Sequence, residues 1–115
     1  DLVVLVGRGS LGGAEILATV LRESAGAQLV GQASFGHAGR LTLVPLSSGA
    51  HLLLTDAFYS GPSGVPISEA LEPDVEVNER TRRFADKDLT IEDLTLRRGL
   101  ELLTVEDVEE LEDVA

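Results

Sequence analysis

A strand, a glycine-rich turn and the start of a helix follow one another near the beginning of the chain. Residues 3–16 read VVLVGRGSLGGAEI. The apolar run at residues 2–6 is typical of a strand buried on both faces, so we expect it to be central in a sheet. The glycines permit a tight bend before the helix. The segment therefore predicts a β-turn-α unit, and the chemistry of its bend decides what the chain can do.

Helical and strand periodicities then alternate. Apolar residues at helical spacing predict an amphipathic helix that ends near Gly26: Ala14, Leu17, Ala18 and Leu21, with Glu15, Arg22 and Glu23 outside the apolar stripe. A short strand is expected at residues 27–30, and a hairpin whose strands, 41–46 and 50–59, flank a turn at 47–49. Residues 74–77 are predicted to add an edge strand. Alternating periods of this kind indicate an α/β fold with a mixed sheet and helices.

The C-terminal part is acidic, since residues 79–115 carry 12 acids and 6 bases. Thr90 with Asp93, and Thr104 with Asp107, resemble capping boxes in which Asp replaces Glu. They predict two helices, near 91–103 and 105–113. We therefore divide the chain into a domain at residues 1–78 and an acidic helical extension at 79–115 that packs on it.

Composition excludes several classes of function. The net charge of −11 argues against nucleic acid and against insertion into an anionic membrane. The chain has no cysteine, and its two histidines, His37 and His51, are too few for a histidine-rich metal site, so we expect no metal and no cofactor. His51 reads as a cross-strand surface residue. Because the chain has no methionine and Asp1 directly precedes a strand, we expect a piece of a longer protein.

The glycines admit a nucleotide-binding interpretation. Gly7, Gly9 and Gly12 spell G-x-G-x-x-G between a predicted strand and a helix, the setting of a dinucleotide fingerprint. That fingerprint also requires an acid about 20 residues further on. Gln32 stands there instead, so nucleotide binding is kept only as an alternative.

Several ordered motifs resemble the C-terminal processing peptidases, or tail-specific proteases. They cover residues 2–77 almost without gaps: VVLV followed by GSxxxxEI, LVGQxSFG, PLSSG followed by LLLT, YSGPSG and LEPDVEV. The resemblance implies the C-terminal half of a serine endopeptidase catalytic domain, with a ClpP/crotonase-like core and a Ser/Lys dyad. It also implies peptide or protein C-termini as partners and an extracytoplasmic location, periplasmic or at the cell surface.

The positions that carry chemistry in that family differ here. The nucleophile position falls on Gly12, the general-base lysine on His37, and an orienting glutamine on Leu41. Glycine has no group to attack a carbonyl, and losing a serine nucleophile costs about 10⁶ in turnover. The resemblance therefore implies a degenerate, inactive peptidase domain that retains oxyanion-hole-like backbone at Gly9 and Gly13.

Two functions compete with an inactive, peptide-binding domain. The first is an active serine endopeptidase in which Ser10 and His37 form a substitute dyad, since imidazole is a competent base near neutral pH. The simpler role for Ser10 is to cap the bend. The second alternative is the nucleotide-binding half domain. In every case a partial domain leaves apolar surface to be covered, so we expect self-association or packing on a missing N-terminal half.

Overall fold

The computed structural model describes residues 1–79 and 92–112. Its helices and strands are, in order, β1 (Val3–Val6), α1 (Gly13–Ala25), β2 (Gln28–Gly31), β3 (Gly39–Pro45), β4 (His51–Phe58), β5 (Val75–Glu76) and α2 (Leu94–Glu112). The predicted first helix, second strand, hairpin and last edge strand are confirmed, with bounds that move by one or two residues. The left-handed Gly26 ends α1, as its position in the sequence predicts.

The first sheet is parallel, in the order β1-β2-β5. Val3 lies opposite Gln28, and Val30 lies opposite Val75. The expectation that residues 2–6 form a central strand is wrong for the described chain, because β2 is central and β1 lies at an edge. An apolar sequence indicates that a strand is buried, but it does not determine whether one or two other strands pair with it.

The two helices lie on opposite faces of this sheet. Val6 packs with Ala18 of α1 and Leu29 of β2, and Val4 adds to that cluster. The alternate residues of β1 face α2, where a Cβ on Gly99 would lie 2.9 Å from Leu5. Glycine therefore lets α2 lie close against the strand, and the result is a three-layer α/β/α arrangement. The predicted α/β class is confirmed, with its parallel and antiparallel pairings in two separate sheets.

The C-terminal part forms one helix where two were predicted. Thr104, expected to cap a second helix, lies inside α2, and its hydroxyl donates a hydrogen bond of 2.8 Å to the carbonyl of Leu100. A threonine hydroxyl bonded to the preceding turn does not interrupt a helix. Thr90, the other predicted cap, lies outside the described residues.

Asp93 caps α2, since its carboxylate accepts a 2.8 Å hydrogen bond from the backbone N–H of Leu96. The Glu79 side chain accepts another, of 2.7 Å, from the backbone N–H of Thr95 and ties the helix to the segment after β5. Losing an N-cap side chain costs about 1 kcal/mol. Asp93→Ala is expected to lower the free energy of unfolding of the 115-residue chain by that amount in urea titrations. Asp93→Asn, which keeps an acceptor, is the control, and equal losses in the two variants contradict the cap.

The hairpin β3–β4 forms a separate antiparallel sheet with apolar residues on both faces. Leu41, Leu43 and Leu53 share one face, while Val44, Leu52 and Leu54 share the other, and all six are exposed. A two-stranded sheet is marginally stable by itself. These leucines and the valine have no cover among the described residues.

At the end of the hairpin away from its turn, the two strands carry a cluster of polar side chains. Both carboxylate oxygens of Asp56 bind the Arg40 guanidinium, at 2.9 and 2.8 Å, and Thr42 adds a third hydrogen bond. The bonds from Arg40 and then Thr42 lower the pKa of Asp56 to about 2. In Arg40→Gln the pKa is expected to rise toward the ordinary value of 3.8. Carboxyl-carbon NMR titration measures this shift, and an unchanged midpoint would show that Arg40 does not set it.

The apolar stripe of α1 is only partly confirmed. Ala18 is buried as predicted, but Leu17 is 59% exposed. The side of α1 that carries Leu17 has no cover among the described residues. Thr19, which the apolar pattern left out, is buried and donates its hydroxyl to the backbone carbonyl of Glu15 at 2.8 Å.

Candidate functional site

Two loops meet at the carboxyl ends of β1 and β2. We call residues 7–12 the glycine turn and residues 32–38 the histidine loop. Because β1 and β2 are parallel neighbours, their following segments leave the sheet at the same edge. The backbone N–H of Phe35 donates a 2.8 Å hydrogen bond to the carbonyl of Ser10, which joins the two loops directly.

The glycine turn is closed at one end by Ser10. Its backbone N–H donates to the carbonyl of Gly7 at 2.8 Å, and its hydroxyl accepts from the backbone N–H of Gly7 at 3.2 Å. At the other end Gly12 has φ 58° and ψ −116°. A side chain is strained at such a positive φ, so glycine suits this position. Strained turns between a strand and a helix present the nucleophile in α/β-hydrolases.

A buried carboxylate fastens the glycine turn to the histidine loop. Glu15 has no exposed surface. One of its oxygens accepts hydrogen bonds from the backbone N–H groups of Gly12 and His37, both at 2.9 Å. The other accepts from the hydroxyl of Ser34 at 2.5 Å and from the backbone N–H of Gly36 at 2.6 Å. Four donors from two loops thus converge on a single side chain.

These donors keep Glu15 ionised. Burial raises the pKa of its carboxyl, but the hydrogen bonds from Ser34, Gly36, His37 and Gly12 together outweigh burial and hold the pKa below its ordinary value. None of the four donors is a charged group, so dipoles alone balance the anion. The Ser34 hydroxyl also accepts from the backbone N–H of Leu71 at 2.8 Å, which extends the network to the segment before β5.

The sequence pattern placed Glu15 on the wrong side of α1. It was expected outside the apolar stripe, and the structure buries it completely. The signal that would have found it is its distance from the start of the helix. Glu15 is the third helical residue, from which a glutamate reaches back to the N–H of the capping position, here Gly12. This motif, the capping box, normally begins with Ser or Thr, so the glycine at its first position made it hard to recognise in the sequence.

Gly12 and His37, the positions that the resemblance assigns to a nucleophile and a base, lie close together. A Cβ built on Gly12 would lie 3.9 Å from the backbone carbonyl of His37, an ordinary van der Waals contact. The two residues are remote in sequence and adjacent in space. The positions that the resemblance assigns to the nucleophile and the base therefore lie side by side, with glycine at the first and histidine at the second.

The other candidate residues lie apart from this contact. Within the described chain, the Ser10 hydroxyl is bonded to Gly7 and makes no hydrogen bond with His37. Leu41 is an exposed residue of β3, opposite Thr55. His51 begins β4 at the exposed surface, as its sequence position predicts.

The helix start already holds an anion. The Glu15 carboxylate accepts from Gly12 at the place where a dinucleotide fingerprint would present N–H groups to phosphate. A phosphate there would meet a like charge at close range, so this geometry disfavours nucleotide binding. Gly9 and Gly13, proposed as oxyanion-hole-like backbone, have open space around them and donate no backbone hydrogen bond to a described residue.

In the part of the chain that the structure describes, His and acidic residues form no group of three or more suited to a metal ion. Neither α1 nor α2, as described, is long and apolar enough to cross a membrane.

The β-turn-α unit, whose glycine turn is joined to a second loop by a buried carboxylate, belongs to an α/β domain. Its family follows from comparison with known proteins. Residues 1–77 match the model of Peptidase family S41, and the chain belongs to this family.

Named relatives agree with this assignment. The chain is 38% identical over 78 residues to a chloroplastic C-terminal processing peptidase of Tetradesmus obliquus, covering 67% of this chain and 17% of the relative. It is 33% identical over 98 residues to a carboxy-terminal-processing protease of Bartonella bacilliformis, covering 84% and 23%. The solved structure of a photosystem II D1 C-terminal processing protease superposes with a TM-score of 0.58 at 38% identity, covering 68% of this chain and 20% of that one. The chain therefore spans less than a quarter of the length of these relatives.

Proposed function

We propose that this chain is a catalytically silent member of its peptidase family, one that binds peptide C-termini without cleaving them. The observation that carries the proposal is the adjacency of Gly12 and His37, the positions that the resemblance assigns to a nucleophile and a base. Glu15 holds the two loops in place through four hydrogen bonds, while the nucleophile position has no side chain. The scaffold for holding a peptide carbonyl persists without the group that would attack it.

The ligand class follows from the relatives. Proteins named for C-terminal processing act near the ends of polypeptides, and a domain of the same family is expected to retain affinity for such ends. Extended peptides bind by main-chain pairing at a sheet edge, which needs no nucleophile.

Peptide binding and hydrolysis are tested in one experiment. A fluorescein-labelled peptide that ends in leucine is titrated with the chain, once with a free carboxylate and once with a C-terminal amide. We expect a rise in anisotropy with the free acid, a much weaker one with the amide, and an intact peptide by mass spectrometry after prolonged incubation. Cleavage that disappears in Ser10→Ala would instead support the Ser10/His37 endopeptidase, and equal binding of acid and amide would contradict recognition of C-termini.

The proposal includes the fold of the complete domain, a ClpP/crotonase-like core with residues 1–78 as its C-terminal half and 79–115 as a helical extension. The apolar sequence of β1, although β1 is an edge in the described chain, supports a sheet that continues beyond it. The contact of α2 with β1 supports an extension that packs on this half. A structure of the longer protein with no strand beside β1 would contradict it.

The proposal also includes a cover for the exposed apolar residues of the hairpin. We expect the leucines of β3–β4 to pack on the rest of a longer polypeptide, or on another copy when the 115-residue chain is isolated. Light scattering gives the molar mass of the isolated chain and so distinguishes these two cases. A monomeric mass, together with binding of a hydrophobic dye at the hairpin, would show that no second copy covers it. The proposed location is extracytoplasmic, which rests on family resemblance, and fractionation of cells that make the longer protein tests it.

A further inference from the structure

We propose that Arg8, Leu11 and Phe35 hold the last residue of the bound peptide. Arg8 pairs with the terminal carboxylate, and Leu11 and Phe35 contact an apolar terminal side chain. This inference rests on the proposed function and locates its ligand subsite around Gly12.

Arg8 is a cation without a described partner in a strongly acidic chain. It lies exposed in the glycine turn and forms no ion pair with any described residue. Every other described arginine is paired with a carboxylate: Arg22, Arg40, Arg97 and Arg98. A guanidinium presents parallel donors that match a carboxylate. Since the chain's net charge of −11 repels an anionic peptide end, an arginine at the turn that has no carboxylate partner among the described residues offers the charge complementarity that such an end needs.

Two exposed apolar side chains belong to the segments that meet at Gly12. Leu11 is 53% exposed in the glycine turn, and Phe35 is 66% exposed in the histidine loop. Phe35 is the most exposed large apolar residue of the described chain. Their backbones are fixed side by side, because the N–H of Phe35 donates to the carbonyl of Ser10, next to Leu11. Exposed aromatic and aliphatic residues at a rigid site are typical contacts for an apolar ligand group.

Glu15 makes this subsite rigid before a peptide arrives. It holds the amides on both sides of the contact, at Gly12 in one loop and at Gly36 and His37 in the other. Phe35 precedes Gly36 directly, so its backbone has little freedom left to lose on binding. A preorganised site binds more tightly because less ordering accompanies association. A Cβ built on Gly12 would meet only the carbonyl of His37, at 3.9 Å, so the glycine leaves open space next to Leu11.

The test measures affinity for the same leucine-ending peptides in single variants. Arg8→Gln is expected to weaken binding of the free acid by about tenfold and to leave binding of the amide unchanged. Leu11→Ala and Phe35→Ala are each expected to weaken the free acid by about tenfold as well. The matched controls are Leu17→Ala, an equally exposed leucine on α1, and Arg98→Gln, which removes the same charge from α2. Both controls are expected to bind within about twofold of the parent chain.

Each result bears on one proposal or both. If the parent chain binds neither peptide, the proposed function fails and the subsite fails with it. If it binds the free acid and the three variants bind as well as the controls, peptide binding stands and the subsite is elsewhere. Because all three side chains are exposed, thermal midpoints of the variants are expected to match the parent, which separates lost affinity from lost structure.

Discussion

Replacing Glu15 by glutamine lowers the free energy of unfolding of the 115-residue chain by about 3 kcal/mol at neutral pH, an expected loss large enough to unfold a marginal domain. An amide has one acceptor oxygen, and its NH₂ group faces the donors that the second carboxylate oxygen now satisfies. Ser34 and the amide of Gly36, or those of Gly12 and His37, would then be buried without an acceptor. Urea titration followed by far-UV circular dichroism measures the loss.

A matched variant shows whether the loss of stability comes from the burial of Glu15 or from removing any hydrogen-bonded carboxylate. Glu23 also accepts two hydrogen bonds, from the backbone N–H and the hydroxyl of Ser63, but it is exposed. Glu23→Gln is therefore expected to cost less than about 1 kcal/mol. Equal losses in the two variants would show that the Glu15 network does not hold the loops together.

The same carboxylate gives stability a defined pH dependence. The pKa of Glu15 is lower in the folded chain than in the unfolded one, so its ionised form stabilises the fold. That contribution is fully present above the unfolded pKa and is lost as the pH falls through the folded pKa. As the pH falls below the ordinary pKa of a glutamate carboxyl, the free energy of unfolding is expected to decrease more steeply in the parent chain than in Glu15→Gln. Parallel curves for the two proteins would contradict the assignment.

Sequence patterns predicted most of the elements, because local periodicity and turn residues determine them. The first helix ends at Gly26 and the hairpin turns near Gly49, both of which are glycines with positive φ. The errors lie where long-range contacts decide. Thr104 was read as a helix start, yet its hydroxyl bonds within a continuing helix, and nothing local distinguishes the two roles.

The sequence offered candidate positions for the site but did not reveal the carboxylate that joins its two loops. Gly12, His37 and Leu41 were assigned by resemblance, and a Cβ built on Gly12 would contact the backbone carbonyl of His37. Glu15 was read as a solvent-facing residue because a charged side chain on a helix usually is. Its burial depends on donors in the histidine loop, which become neighbours only through the parallel pairing of β1 with β2.

If the site is silent as proposed, placing a nucleophile at Gly12 and an amine base at His37 is expected to make it reactive. The parent chain and Gly12→Ser alone are expected to remain unlabelled by a fluorophosphonate probe. The double variant Gly12→Ser/His37→Lys is expected to react at least about 100-fold faster than the single variant, since a positioned general base contributes that much. Space for the new side chain exists, because a Cβ at position 12 meets the carbonyl of His37 at 3.9 Å.

The cost of that change lies in the backbone. At φ 58° a non-glycine residue is strained by about 1–2 kcal/mol, so the double variant is expected to unfold at a lower urea concentration than the parent even as it gains reactivity. Adding Ser10→Ala locates the label: labelling that persists belongs to position 12, whereas labelling that disappears belongs to Ser10 and contradicts the prediction. A reactive double variant would mean that Glu15 and the two loops still hold a peptidase geometry, and that loss of activity required changes only where side chains meet the substrate.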